Sequence, residues 1–130
     1  MKPKVNWLII VGLSVGLLVI NCAEDNDNPG IPVNHPPNMP SNPLPANGAT
    51  GVGGDTNLSW TCSDPENDSL LYNIFFGTEP NPPLLWRNIT ATNCDPRGGN
   101  LGFDTYYWII VVRDDKGNQT EGPLWQFRIN

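Results

Sequence analysis

The sequence predicts an all-β fold of two packed sheets, and three observations carry that reading. Residues 105–112 (TYYWIIVV) form the longest β-branched and aromatic run outside the N-terminal stretch, bounded by Asp104 and by Arg113-Asp114-Asp115-Lys116-Gly117-Asn118. A run this short between turn residues reads as a strand buried on both sides, not as a helix. Other short segments alternate apolar and polar residues with the period of two that a half-buried strand requires. Fourteen prolines, thirteen glycines and five tryptophans in 130 residues suit many short strands joined by turns.

Taken in order, the chain opens with Lys2 and Lys4, and Trp7 to Ile20 then carries no charge. That run is shorter than the about 20 residues a membrane-spanning helix needs. A basic start, a short apolar stretch and a cleavage region make residues 1–21 a secretory signal peptide. Leu18-Val19-Ile20-Asn21-Cys22 resembles the lipobox of bacterial lipoproteins, with Asn21 where Gly, Ala or Ser is usual. The resemblance implies that Cys22 is the lipid attachment site and the mature N-terminus. Two or three acyl chains on one cysteine make a stable membrane anchor, where one chain holds only reversibly. Ala23-Glu24-Asp25 reads either as the start of a solvated linker or as an acidic patch resembling the surface-export signal of some Bacteroidota lipoproteins.

Residues 22–39 are rich in Asn, Pro and Asp and show no hydrophobic period, so they read as a semi-rigid, extended tether. The only histidine, His35, falls in it. Residues 40–130 are the domain. Residues 40–45 make a first strand that proline confines to an edge, and 48–55 a glycine-rich turn. In 57–62 Leu58, Trp60 and Cys62 share a face; in 69–76 Leu70, Tyr72, Ile74 and Phe76 point inward. Residues 63–68 and 77–83 are turns. Two short strands, 84–88 and 89–94, precede 105–112. Residues 123–129 close the domain with Trp125, Phe127 and Ile129 on one face.

The segments LSWTCSDPEND, LYNIFFGTEPNPPL, DTYYWIIVVRDDKGN and EGPLWQF resemble a bacterial fibronectin type III module over residues 57–129. The resemblance implies a seven-stranded immunoglobulin-like sandwich. It places Leu101 and Tyr106 at a tyrosine corner, with the Tyr106 hydroxyl bonded to the loop before its strand. Tyr106, Trp108, Ile110 and Val112 then face the core. For 89–94 it turns Thr90, Thr92 and Cys94 inward, where hydrophobicity alone would choose Ile89 and Ala91. It also puts Cys62 and Cys94 at opposite ends of antiparallel neighbours, beyond the about 7 Å between Cα atoms that a disulfide tolerates, so both are expected as buried free thiols. The family carries no shared catalytic function, and a fold alone assigns none.

A net charge of −6, spread along the chain, argues against nucleic-acid binding, which needs a basic face. Catalysis is poorly supported, because a Ser or Cys nucleophile needs a base within reach and the one histidine lies in the tether. Asp64, Glu66 and Asp68 fall in one turn and Asp114 and Asp115 in another, at the same end of the implied sandwich. Oxygen ligands gathered so could hold calcium. Asp and Asn also favour turns for local hydrogen bonding, and that reading is preferred, with no metal or cofactor assigned. Four Asn-x-Ser/Thr sequons, at Asn57, Asn67, Asn88 and Asn118, read as chance products of composition. The outer face of the central sheet carries Leu71, Phe75, Tyr107, Ile109, Val111 and Leu124, a candidate interface with Trp86 on a nearby edge segment. The expected function is a non-enzymatic lipoprotein of the cell envelope, in the outer membrane on its periplasmic or surface side. It would display a binding or spacer module toward protein or glycan. The alternative is a structural subunit packing that face against itself or another envelope protein.

Overall fold

The computed structural model describes residues 30–130; the expected signal peptide, residues 1–21, and Cys22 lie outside the described residues. The chain divides into two units, Met1–Val33 and Asn34–Asn130, and the fold is that of the second. Eight strands follow in order: β1 (Ser41–Leu44), β2 (Leu58–Thr61), β3 (Leu70–Gly77), β4 (Leu84–Ile89), β5 (Asn93–Cys94), β6 (Thr105–Asp114), β7 (Gln119–Glu121) and β8 (Trp125–Arg128). They form two antiparallel sheets in a sandwich-like arrangement. One is ordered β1-β2-β5; the other is ordered β4-β3-β6-β7, with β8 also on β6. No helix occurs among the described residues.

The β3–β6 ladder runs without a break from Leu70 opposite Asp114 to Gly77 opposite Tyr107. Opposed residues share a face, so the inward set of β3 (Tyr72, Ile74, Phe76) meets the inward set of β6 (Trp108, Ile110, Val112), and all six are buried. Leu58 and Trp60 of β2 and Trp125 and Phe127 of β8 join the core as the alternation predicts, with Leu101, Tyr106 and Ile129. Each such side chain contributes about 1.5–3 kcal/mol through burial. Aromatic contacts from Trp60 tie the sheets: its ring meets Tyr72 edge-on at 5.4 Å between centroids and Trp108 at 6.4 Å, and within the larger sheet Trp108 lies 4.7 Å from Trp125. Phe76 stacks on Tyr106 at 5.2 Å. The indole N–H groups of Trp60 and Trp108 are buried without an acceptor, a cost the ring burial outweighs. The outward side of β6 is half-buried, so the strand is covered fully on one face only.

Three expectations need correction. The closing strand is two pieces, making eight strands where seven were expected. Gly122 N donates to Ile110 O at 2.8 Å, and a Cβ on Gly122 would stand 2.9 Å from that same oxygen. Pro123 then has no N–H to give. The register steps by one residue between Val111↔Glu121 and Trp108↔Trp125, a bulge that splits β7 from β8. Second, 89–94 is not one strand. Ile89 ends β4 in the larger sheet and Asn93–Cys94 pairs with β2 in the other, so the intervening residues cross between sheets. Ile89 and Cys94 pack against the core, while Thr90, Ala91 and Thr92 are exposed. Third, the compact unit starts at Asn34, ahead of the boundary expected at residue 40. Asn38 N donates to Ser63 O at 2.9 Å, Thr120 Oγ1 donates to Pro37 O at 2.6 Å, and Pro37 and Pro40 are buried.

Cys62 and Cys94 are free, each half-buried. Leu58 pairs with Cys94, which leaves Cys62 at the far end of β2. Burial pushes the Cys94 thiol up to about 11, so little nucleophilic thiolate is present near neutral pH. The Tyr106 hydroxyl donates to Gly102 O at 3.1 Å, the corner contact expected of it. Tyr106→Phe is expected to lower the unfolding free energy by about 0.5–1.5 kcal/mol with the same denaturant slope, read by urea unfolding. An unchanged midpoint would mean the hydroxyl does not lock the corner.

Candidate functional site

Two surfaces gather the candidate residues. The first is the outer face of the larger sheet. Phe75 lies opposite Ile109, Asn73 opposite Val111, Leu71 opposite Arg113, and Gly77 opposite Tyr107. Across β6, Val111 faces Glu121 and Tyr107 faces Gln126. An apolar ladder of Leu71, Phe75, Tyr107, Ile109 and Val111 thus runs up the middle of the face, with polar residues along its margins. These five are half-buried, whereas Leu124, at the bulge, is 42% exposed.

Part of the cover comes from the loop between β3 and β4. Phe76 N donates to Pro83 O at 2.9 Å, which folds the loop back. A Cβ on Gly77 would stand 2.9 Å from Pro83 Cδ, so the approach needs glycine there. Pro82 is buried as a result. Asn81 and Pro82 then join Phe75, Ile109, Val111 and Glu121 around a recess of about 200 Å³. Small-molecule sites usually hold about 300–1,000 Å³, so this recess is sized for one side chain of a partner. The contributions of Pro82 and Glu121 had no signal in the sequence beyond proximity to turns.

Trp86 does not belong to that face. It lies opposite Ile74, an inward residue, and is 50% exposed. With Ile89, Ala91, Asn93, Cys94 and Asp95 it lines an open recess of about 400 Å³ between edge strands β4 and β5 of the two sheets. The cause is a register shift. Two steps of β4 from Leu84 to Trp86 span one of β3 from Phe75 to Ile74, which turns Trp86 to the inward side. A second shift follows between Trp86 and Ile89, with Asn88 at φ 56° and its N–H donating to Asn73 Oδ1 at 2.9 Å.

The second surface is the acidic end of the domain. The two acidic turns meet there, as expected. Asp114 is buried; its Oδ1 accepts from Lys116 N at 2.9 Å and Asn118 N at 2.8 Å, and its Oδ2 accepts from Asn34 Nδ2 at 2.7 Å. Lys116 Nζ reaches Asp115 Oδ1 at 2.6 Å and Asp68 Oδ1 at 2.8 Å, joining the turns, and these partners, Asp115 foremost, raise its pKa. His35 closes the cluster: its Nδ1 stands 2.6 Å from Glu66 Oε1, and its backbone N–H donates to Oε2 at 3.1 Å. The His35 ring contact holds Glu66 below the usual carboxylate range.

Comparison with family profiles, curated proteins and solved structures finds no match to this chain.

Burial pushes the Asp114 carboxyl up, and the donors Asn34 Nδ2, Asn118 N and Lys116 N more than offset it, so its pKa lies below the ordinary value. A depressed carboxyl contributes stability above its unfolded value of about 3.9 and loses it as pH falls through the folded value. Asp114→Asn is therefore expected to weaken the fold at neutral pH and to flatten the loss of stability below about pH 4, measured by urea unfolding across a pH series. An acid limb as steep as the native one would contradict the assignment.

Proposed function

We propose that this chain is a lipid-anchored protein of the bacterial cell envelope, most simply of the outer membrane. It displays a non-catalytic fibronectin type III-like sandwich as a binding or spacer module for protein or glycan. The anchor reading rests on Leu18-Val19-Ile20-Asn21-Cys22. The fold reading is supported by the three-plus-five division of strands and by the continuity of β7 and β8 along β6, which together make one broken seventh strand.

The observation that carries the binding function is the Phe75–Ile109–Val111 ladder with its side-chain-sized recess. It presents apolar surface with a polar margin, the layout of a protein-docking patch. Trp86, half-exposed beside the second recess, offers a ring face suited to a sugar or an apolar side chain. A non-catalytic role is favoured by the engagement of His35 with Glu66 and by thiols whose pKa values burial raises. Self-packing through the outer face, the structural-subunit alternative, is disfavoured by the loop at Pro82, which interrupts a flat sheet-to-sheet contact.

Expressed in a bacterium with lipoprotein processing, the native chain is expected in the membrane fraction and Cys22→Ala in the soluble exported fraction, read by immunoblot of fractionated cells. Equal distribution of the two would contradict the anchor. Light scattering on the detergent-solubilised chain is expected to give a monomer; a stable dimer lost on Ile109→Lys would move the assignment to the structural-subunit reading.

A further inference from the structure

The turn between β2 and β3 leaves carboxylate oxygens that its own hydrogen bonding does not use. Asp64 is only 6% exposed. Its Oδ1 accepts from Glu66 N at 2.9 Å and Asp68 N at 3.1 Å, and its backbone oxygen accepts from Asn67 N. Those bonds account for the turn. Asp64 Oδ2 is sealed from solvent and accepts nothing, and the same holds for Asp68 Oδ2. A sealed carboxylate oxygen with no donor is costly, and here two of them sit in one acidic cluster. One oxygen from each of Asp64, Glu66 and Asp68 lies within 4.8 Å of the other two.

We propose that this turn is a calcium site, with Asp64 Oδ2, Asp68 Oδ2 and the Glu66 carboxylate as its protein ligands. Calcium–oxygen distances are about 2.3–2.6 Å, so ligands on opposite sides of the ion stand about 5 Å apart. One oxygen of each of the three residues already stands within that span of the other two. Magnesium, at about 2.0–2.1 Å with strict octahedral geometry, suits an irregular set of three carboxylates less well. Water completes the shell on the exposed Glu66 side. Two neighbouring side chains already engage these ligands. Lys116 Nζ holds Asp68 Oδ1, and His35 holds Glu66, so calcium gains its ligands against both.

The test is isothermal titration of calcium chloride into the detergent-solubilised full chain after treatment with a chelator. One ion per chain is expected, with a dissociation constant of about 10⁻⁴–10⁻³ M, the range of extracellular modules. Glu66→Gln is a surface change that leaves the Asp64 turn intact, and it should weaken uptake about tenfold. Lys116→Met should tighten uptake by removing a competing positive charge. No saturable uptake by about 10 mM, native-like uptake by Glu66→Gln, or unchanged affinity in Lys116→Met would each overturn the site.

Discussion

The unbroken β3–β6 ladder is the constraint on which the rest of the domain depends. Side chains on paired strands alternate between faces, so a slip of one residue would send Trp108, Ile110 and Val112 to the solvent side and bring Tyr107, Ile109 and Val111 in. The inward set is fully buried and the outward set only half so, and that difference fixes the register. Every other strand is placed by this pair. β4 takes the free edge of β3, β7 and β8 take the free edge of β6, and the smaller sheet closes over the face that Trp60 and Leu58 reach.

The same ladder positions the acidic end. Leu70 opposite Asp114 brings the turn before β3 level with the turn after β6. Two buried aspartates then organise these turns in the same way, each using one carboxylate oxygen to collect backbone N–H groups two and four residues on. They differ in the other oxygen. Asp114 gives it to Asn34, which fastens the entering chain to the domain; Asp64 leaves it unpartnered. Within the Pro-rich segment, residues 34–38 bond to the sandwich at residues 63, 66, 114 and 120.

The core was legible in the sequence because alternation and turn residues are local signals. Leu58, Trp60, Tyr72, Ile74, Trp108, Ile110 and Phe127 all sit where their period puts them. What was not legible depends on partners far along the chain. Gln119, Thr120 and Glu121 have no apolar alternation, yet they form β7, because β6 offers a free edge and Pro37 O accepts from Thr120. The docking of residues 34–38 rests on hydrogen bonds to residues far along the chain and has no periodicity to reveal it. Of the candidate interface, Leu71, Phe75, Tyr107, Ile109, Val111 and Leu124 could be assigned a face by counting along strands. Trp86 could not, because a register shift between Leu84 and Trp86 changes the phase of β4.

The central claim joins this domain to a membrane through one atom, the sulfur of Cys22. Mass spectrometry of the N-terminal peptide from membranes of expressing cells tests it most directly. The account expects a peptide that begins at Cys22 and carries the added mass of a diacylglyceryl group. A peptide that retains Met1, or that contains Cys22 as a free thiol, would contradict it.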